Sequence, residues 1–225
     1  PRTAIMIAGN EVSPQAIVKD AAAGRCKTIA YTYTEPTIYF ELALDTAKIA
    51  AASGLKNVFV TNGFMTTEAI EIIAPYLSAA NVDLKSFREE FYKKHCGAKL
   101  TPVLTTLKKM KEKGIWVEIT TLLIPTLNDD EEELKDIAQF ISALGRETPW
   151  HISRFHPQFK MRDLPPTSIS SLHKAVEIGR EAGLKYVYSG NVPGDHGENT
   201  YCFNCGNILL ERYGFRITNN TLEGN

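Results

Sequence analysis

The sequence predicts an α/β protein built on a parallel sheet or barrel, and three observations predict it. Segments rich in β-branched and aromatic residues alternate with helical periodicities through residues 13–188, joined by short connections. That is the signature of successive β-α units. Five of the strand-like runs end in a polar cluster: Tyr33-Thr34-Glu35-Pro36, Thr61-Asn62-Gly63, Asp83-Leu84-Lys85-Ser86, Thr120-Thr121 leading to Pro125, and Ser153-Arg154-Phe155-His156. The carboxyl ends of the strands build the active site of a β/α barrel, so this repetition points to an enzyme rather than a binding module. Lastly, the strands number six, two short of an eight-stranded barrel. Either the barrel is incomplete or its first β-α unit lies upstream of Pro1.

Each element has a local reason. Ser13 followed by Pro14 is an N-cap with proline in the first turn, opening a helix that stops at Gly24. Residues 28–33 read as a strand. Residues 35–53 carry apolar side chains at helical spacing and end at Gly54. A strand at 57–60, a helix at 66–77 and a short strand at 82–85 follow. Next come a loop holding Cys96-Gly97 and a helix ending at Gly114. Residues 116–124 form a strand, 129–144 an acidic-capped helix and 150–155 a further strand. Residues 169–182 are helical with Gly183 at the end, and 186–188 are the last strand. After Ser189 the composition shifts to Gly, Asn, Pro and Cys. The expected organisation is therefore a barrel domain over 1–189 and a Gly- and Cys-rich extension over 190–225, packed as a tail on the domain.

Bulk properties exclude several classes. The 225 residues fit one large α/β domain, and a hydrophobic content of 44% supports a real core. With 25 basic and 26 acidic residues the net charge is -1, which offers no electrostatic attraction to nucleic acid or a membrane surface. Apolar stretches are too short to span a bilayer and no signal peptide is evident, so a cytoplasmic protein is expected. Four cysteines make no disulfide framework, but the Cys202-x-x-Cys205 pair suggests metal or redox chemistry. The chain opens at Pro1 without methionine and closes on loop-like residues 221–225, which reads as a segment of something longer.

Several residues are candidates for chemistry. Glu35, at a strand end before Pro36, suits an ammonium ligand or a base, or else a helix-end carboxylate facing the macrodipole. Asp83 and Lys85 lie two apart on a strand and point to one side. If that side is a barrel interior, the two charges must pair or bind ligand; otherwise they form a solvated edge. Asn62-Gly63 is an ordinary turn by itself, and its position after an apolar strand gives it a functional reading. On the strand at 150–155, His151, Ser153 and Phe155 share one face and Arg154 and His156 the other. Cys202 and Cys205, followed by Gly206, have the shape of a zinc-knuckle turn. A structural zinc site needs four ligands, so this is a half-site completed beyond Asn225, or else two reduced thiols.

Taken together, five segments resemble the radical S-adenosylmethionine (SAM) enzymes: YTYTEP at 31–36, VTNGF at 60–64, NVDLKSF at 81–87, TLLIPTLN at 121–128 and HISRFHP at 151–157. The similarity is to the pyruvate formate-lyase activating-enzyme type, in particular the radical SAM member of the AmmeMemoRadiSam system. The tail, with GNVPG at 190–194, ENTYCFNC at 198–205 and Glu211-Arg212, shares it. The match runs from about Cys26 to Phe215.

The resemblance implies a partial (β/α)6 barrel, which agrees with the six strands. It also implies a 4Fe-4S cluster that reduces SAM to methionine and a 5′-deoxyadenosyl radical, which abstracts hydrogen from a substrate such as a protein glycyl residue. The family's Cys-x3-Cys-x2-Cys cluster loop is absent, and its ligands are expected upstream of Pro1, so this polypeptide alone should be inactive. A Gly-Gly-Glu motif that usually receives the SAM methionine is replaced by Tyr33-Thr34-Glu35, which keeps the carboxylate but not the glycines. By the same resemblance Thr34 and Glu35 meet the methionine end of SAM, Thr61 and Asn62 the methionine and ribose, and Asp83 and Lys85 the ribose and carboxylate. Asp83 and Lys85 are also the catalytic candidates. Thr121 is expected beside the SAM, and Ile124-Pro125 and Phe155-His156 along the adenine. Cofactors are then SAM, the cluster and zinc at the tail pair; partners are proteins of the AmmeMemoRadiSam system. Two rival readings stand beside this one: a class I aldolase-like barrel with Lys85 as Schiff-base nucleophile, and a zinc-ribbon interaction protein with the barrel as scaffold.

Overall fold

The computed structural model describes residues 11–214 and 216–222; the opening at Pro1 and the closing residues 223–225 lie outside them. Six strands form one sheet in chain order, every pair parallel. They are β1 (Thr28–Tyr31), β2 (Lys56–Thr61), β3 (Ala79–Asp83), β4 (Trp116–Leu123), β5 (Trp150–Arg154) and β6 (Val187–Gly190). α1 (Pro14–Ala23) precedes β1, and helices carry the chain back between strands, as parallel pairing requires. The connecting helices are α2 (Phe40–Ala52), α3 (Thr67–Ile73), α4 (Glu89–Phe91, running into a π turn at Tyr92–Cys96), α5 (Leu100–Glu112), α6 (Glu131–Leu144) and α7 (Ile169–Glu181).

Helix starts obey their caps. The Ser13 hydroxyl accepts from the Ala16 amide at 3.2 Å, the Thr66 hydroxyl from Ala69 at 3.2 Å, and the Asp130 carboxylate from Glu132 at 3.0 Å. The helix expected over 35–53 begins only at Phe40. Proline disfavours a helical conformation in the residue before it, which leaves Glu35 in the turn that follows β1 rather than in a helix. The third strand lies earlier than expected, at Ala79–Asp83: two alanines hid its start, and Lys85 falls beyond its end. Cys96 closes the π turn instead of lying in a loop.

The two faces of the sheet differ. Phe59, Ala80, Val82, Val117, Ile119, Trp150 and Ile152 are buried together against Ala43, Ile70, Leu107, Ile137 and Leu172 of the helices. Gly179 of α7 lies so close to the sheet that a β-carbon there would stand 3.0 Å from the Trp150 ring. Along the strands the alternate residues Asn81, Asp83, Glu118, Thr120, His151, Ser153 and Tyr188 are only half-buried, and the register pairs them across β3 to β6. One face is thus a helix-covered core and the other is polar and open. The tail, expected only as a packed extension, adds a second, antiparallel sheet of β7 (Thr200–Tyr201), β8 (Ile208–Tyr213) and β9 (Arg216–Asn220).

Candidate active site

At the carboxyl end of β1 the Glu35 side chain is buried at 7% exposure. Its Oε1 accepts from the Thr61 hydroxyl at 2.6 Å and the Thr37 hydroxyl at 3.1 Å, and its Oε2 accepts from the Asn62 amide at 2.7 Å. The carboxylate therefore fastens the ends of β1 and β2 together. Thr61 lies on the helix side of β2 and is buried, while Asn62 is half-buried just past the strand. Its Oδ1 accepts from the Phe64 amide at 2.8 Å. Gly63 lets this turn close: φ is +73°, and a β-carbon would stand 2.7 Å from Val82 Cγ1. Thr34 is exposed beside Glu35.

At the end of β3, Lys85 Nζ pairs with Asp83 Oδ2 at 2.6 Å, with side-chain exposures of 38% and 37%. Leu84 between them is fully buried, so the pair stands on the open side. Two clamps that sequence reasoning missed hold this region. Asn128 Nδ2 donates to the Lys85 carbonyl at 2.6 Å and the Leu122 carbonyl at 2.9 Å, and its Oδ1 accepts from the Ile124 amide at 2.6 Å. Glu133 of α6 accepts from the Ser86 hydroxyl and, at 2.7 Å, from the Phe87 amide.

Thr121 requires a correction. Expected beside the SAM, it instead points to the helix side, fully buried, where its hydroxyl donates to the Leu84 carbonyl at 2.8 Å and accepts from Trp150 Nε1 at 3.0 Å. Alternation along β4 puts its neighbours Thr120 and Leu122 on the open face. Ile124 is buried at the end of β4 and Phe155 at the end of β5. The expected shared face of His151, Ser153 and Phe155 breaks at Phe155, because β5 ends at Arg154 and the Thr167 hydroxyl takes the Phe155 amide at 2.9 Å. His156 is exposed, 3.4 Å from the Asn191 carbonyl. Cys202 and Cys205 lie apart from these groups, in the turn between β7 and β8.

The open face holds a cavity of about 1030 Å³ walled on one side by the sheet (Glu118, Thr120, His151, Tyr188) and on the other by the tail, including Arg212. His151 Nε2 meets Glu118 Oε2 at 2.7 Å, and Trp116 Nε1 donates to Glu118 Oε1 at 3.1 Å. The His151 hydrogen bond holds the Glu118 carboxyl below its ordinary range in spite of burial. His151 stacks on Tyr188, whose phenol burial pushes up. Arg212 Nη1 donates to the Thr200 hydroxyl at 2.6 Å and the Glu198 carbonyl at 3.0 Å. Of this network sequence reasoning gave a chemical candidate only in His151, with Thr120 named as a strand-end residue and Glu198, Thr200 and Arg212 only within the tail segments of the resemblance; for Glu118 and Tyr188, alternation from Asp83 and His151 through the neighbouring strands was the available signal.

These strand-end carboxylate, amide and ammonium groups, above a parallel sheet, belong to a radical SAM protein: residues 2–141 match the family described as the radical SAM superfamily, and the chain belongs to it. It is 50% identical over 206 residues to an uncharacterized protein of Methanocaldococcus jannaschii, covering 91% of this chain and 61% of the relative. It is 27% identical over 154 residues to the isethionate sulfite-lyase activating enzyme of Desulfovibrio desulfuricans, covering 64% of this chain and 48% of that one. The fold resembles a solved domain of pyruvate-formate lyase-activating enzyme from Bacteroides vulgatus, with a TM-score of 0.64 and 20% identity over 72% of this chain and 98% of that one. The chain spans 61% and 48% of the lengths of the two sequence relatives. It is related to activating enzymes. Among the described residues no helix is long and apolar enough to cross a membrane.

Proposed function

We propose that the chain is the SAM-binding part of a radical SAM enzyme that cleaves SAM reductively and takes a hydrogen atom from a protein substrate, a glycyl residue being the candidate. The sheet is then the wall of a partial (β/α)6 barrel spanning residues 1–189, with 190–225 as the extension. The observation that carries this reading, within the family, is the convergence of Glu35, Asn62, Asp83 and Lys85 at the carboxyl ends of adjacent strands. The relatives named for activating a lyase support the protein substrate.

The donor set fits SAM. Among the described residues Glu35 Oε2 takes one protein hydrogen bond, so the carboxylate keeps capacity for the SAM ammonium beside Thr34. Thr61 and the Asn62 backbone hold Glu35 in place, and the Asn62 side chain adjoins the methionine and ribose. Lys85 takes the methionine carboxylate while Asp83 accepts from the ribose, exchanging their mutual ion pair for ligand contacts. Ile124, Phe155 and His156 border the adenine. No group of three His, Cys, Asp or Glu side chains fit for a metal exists among the described residues, and the ligands of the 4Fe-4S cluster are proposed to lie outside them. When bound elsewhere in the natural protein, the cluster supplies the electron that splits SAM into methionine and a 5′-deoxyadenosyl radical. Proteins of the AmmeMemoRadiSam system are the proposed partners, and the cytoplasm the proposed compartment.

The rival use of Lys85 as a Schiff-base nucleophile has less support. Such a lysine is activated by desolvation or a neighbouring cation, whereas Lys85 is half-exposed and paired with a carboxylate. The test is anaerobic reconstitution of the natural protein followed by assay of 5′-deoxyadenosine. Product that disappears with Lys85→Met and Glu35→Gln is expected; a full cluster without product would refute the proposal.

A further inference from the structure

We propose that Arg212 of the tail anchors a carboxylate of the substrate, bound in the cavity between the tail and the open face of the sheet. Calling the ligand a substrate rests on the SAM reading above; the carboxylate site itself does not.

The first observation is how the guanidinium is used. Its Nη1 is committed to the tail, donating to the Glu198 carbonyl at 3.0 Å and to the Thr200 hydroxyl at 2.6 Å. Among the described residues Arg212 makes no ion pair, and its Nε and Nη2 donate to no acceptor. Those two nitrogens form the side-on edge of the fork, the edge that matches a carboxylate bidentately. The fork is also held in place. Its central carbon stands 6.0 Å from the Tyr188 ring centre, and Tyr188 stacks on His151 at 5.1 Å with the rings 16° apart. A guanidinium fixed in this way loses little freedom when it binds.

The second observation is the charge of the cavity, about 1030 Å³, that Arg212 helps to wall. Three carboxylates share the wall, and each has partners. Glu118 meets His151 and the Trp116 indole. Asp195 accepts from the Ser189 hydroxyl at 2.9 Å and lies 3.3 Å from His173 Nε2, and Glu198 accepts from the Gly214 amide at 2.9 Å. Arg212 is the wall's fixed cation, and its charge is the one left for a ligand. The same three carboxylates repel a dianion more than a monoanion, which favours a carboxylate over a phosphate.

The third is position. In the strand register Asp83 stands opposite Thr120, Thr120 opposite His151 and His151 opposite Tyr188, all on the open face. Arg212, beside Tyr188, is therefore three strands from Asp83, about 14 Å along the sheet at roughly 4.8 Å per strand. Asn81 and Thr120 carry the cavity toward Asp83, so a ligand anchored at Arg212 extends toward the proposed SAM site.

The test is protection of Arg212 from phenylglyoxal in the natural protein, read by tandem mass spectrometry, with exposed Arg216 as internal control. The probes are glutarate, a peptide blocked at both ends and bearing one glutamate, its glutamine counterpart with a free carboxyl terminus, and that counterpart blocked at both ends. Labelling of Arg212 that carboxylate probes slow, and that the doubly blocked glutamine peptide and inorganic phosphate do not, is expected. The carboxylate that protects at the lowest concentration identifies the source as a free acid, an acidic side chain or a chain end. Its calorimetric affinity should fall about 10-fold or more in Arg212→Gln and recover in part in Arg212→Lys, which keeps the charge without the fork. SAM affinity should be the same in Arg212→Gln, so a natural protein that fails to bind or cleave SAM would refute the SAM reading and leave the anchor standing. Arg212 that resists the reagent without a probe, labelling that no carboxylate slows with or without SAM, or equal protection by the neutral peptide would overturn the site. Stronger protection by phosphate would overturn the choice of carboxylate.

Discussion

Replacing Glu35 separates two duties that one carboxylate performs. In Glu35→Ala the Thr61 hydroxyl and the Asn62 amide lose an acceptor at 2.6 and 2.7 Å, and Thr61 is buried at 3% exposure. Stranding a buried donor costs about 1–3 kcal/mol, so the two together should destabilise the fold by roughly 2–6 kcal/mol. That is a large share of the roughly 5–15 kcal/mol by which a domain is stable. Glu35→Gln keeps the shape and one carbonyl acceptor, so about half of this stability should remain while the charge is lost. Denaturant midpoints for the three proteins, read at unchanged m-value, measure the first duty. Calorimetric SAM binding to the natural protein measures the second. A charge-assisted bond to the ammonium is worth about 1.5–3 kcal/mol, so Glu35→Gln should weaken SAM about 10- to 150-fold. A Glu35→Ala protein within 0.5 kcal/mol of the unaltered chain, a shift inside the ordinary range for inert surface changes, would refute the clamp. Unchanged SAM affinity in a folded Glu35→Gln would refute the ligand role.

Thr121→Val should leave the Trp150 indole N–H and the Leu84 carbonyl without their partner, costing about 1–3 kcal/mol by denaturation while SAM affinity is kept. Lost affinity at full stability would return Thr121 to the SAM side. Lys85→Met should change stability by no more than about 1 kcal/mol, since the ion pair with Asp83 is half-exposed, yet abolish 5′-deoxyadenosine formation; retained product would remove Lys85 from the site. The Glu118 carboxyl is held low in the folded state by His151, so its stabilisation is present above the ordinary carboxylate range and fades as pH falls through the lowered folded pKa. Glu118→Gln should flatten that part of the acid limb of stability against pH, and an identical limb would show that the pair does not contribute.

The sequence by itself determined the β-α alternation, the six parallel strands and the helix caps, because these depend on residues within a few positions of one another. Ser13, Thr66 and Asp130 each serve an amide two or three residues on. It also placed polar residues at the strand ends. Only the tertiary structure decided which of them face ligand and which fasten strands. Thr120 and Thr121 are adjacent and chemically alike, yet one faces the open side and the other the core, since strand side chains alternate and a one-residue shift exchanges the faces. Glu35 finds Thr61 across 26 residues, Asn128 reaches Lys85 across 43, and Glu133 reaches Ser86 across 47. The tail was legible as cysteine-bearing but not as a sheet: β7 has two residues, and β8 and β9 have no deep core to impose an alternating pattern. Clamps and cavity walls arise from groups that the chain brings together only on folding, and no periodicity along the sequence records such a meeting.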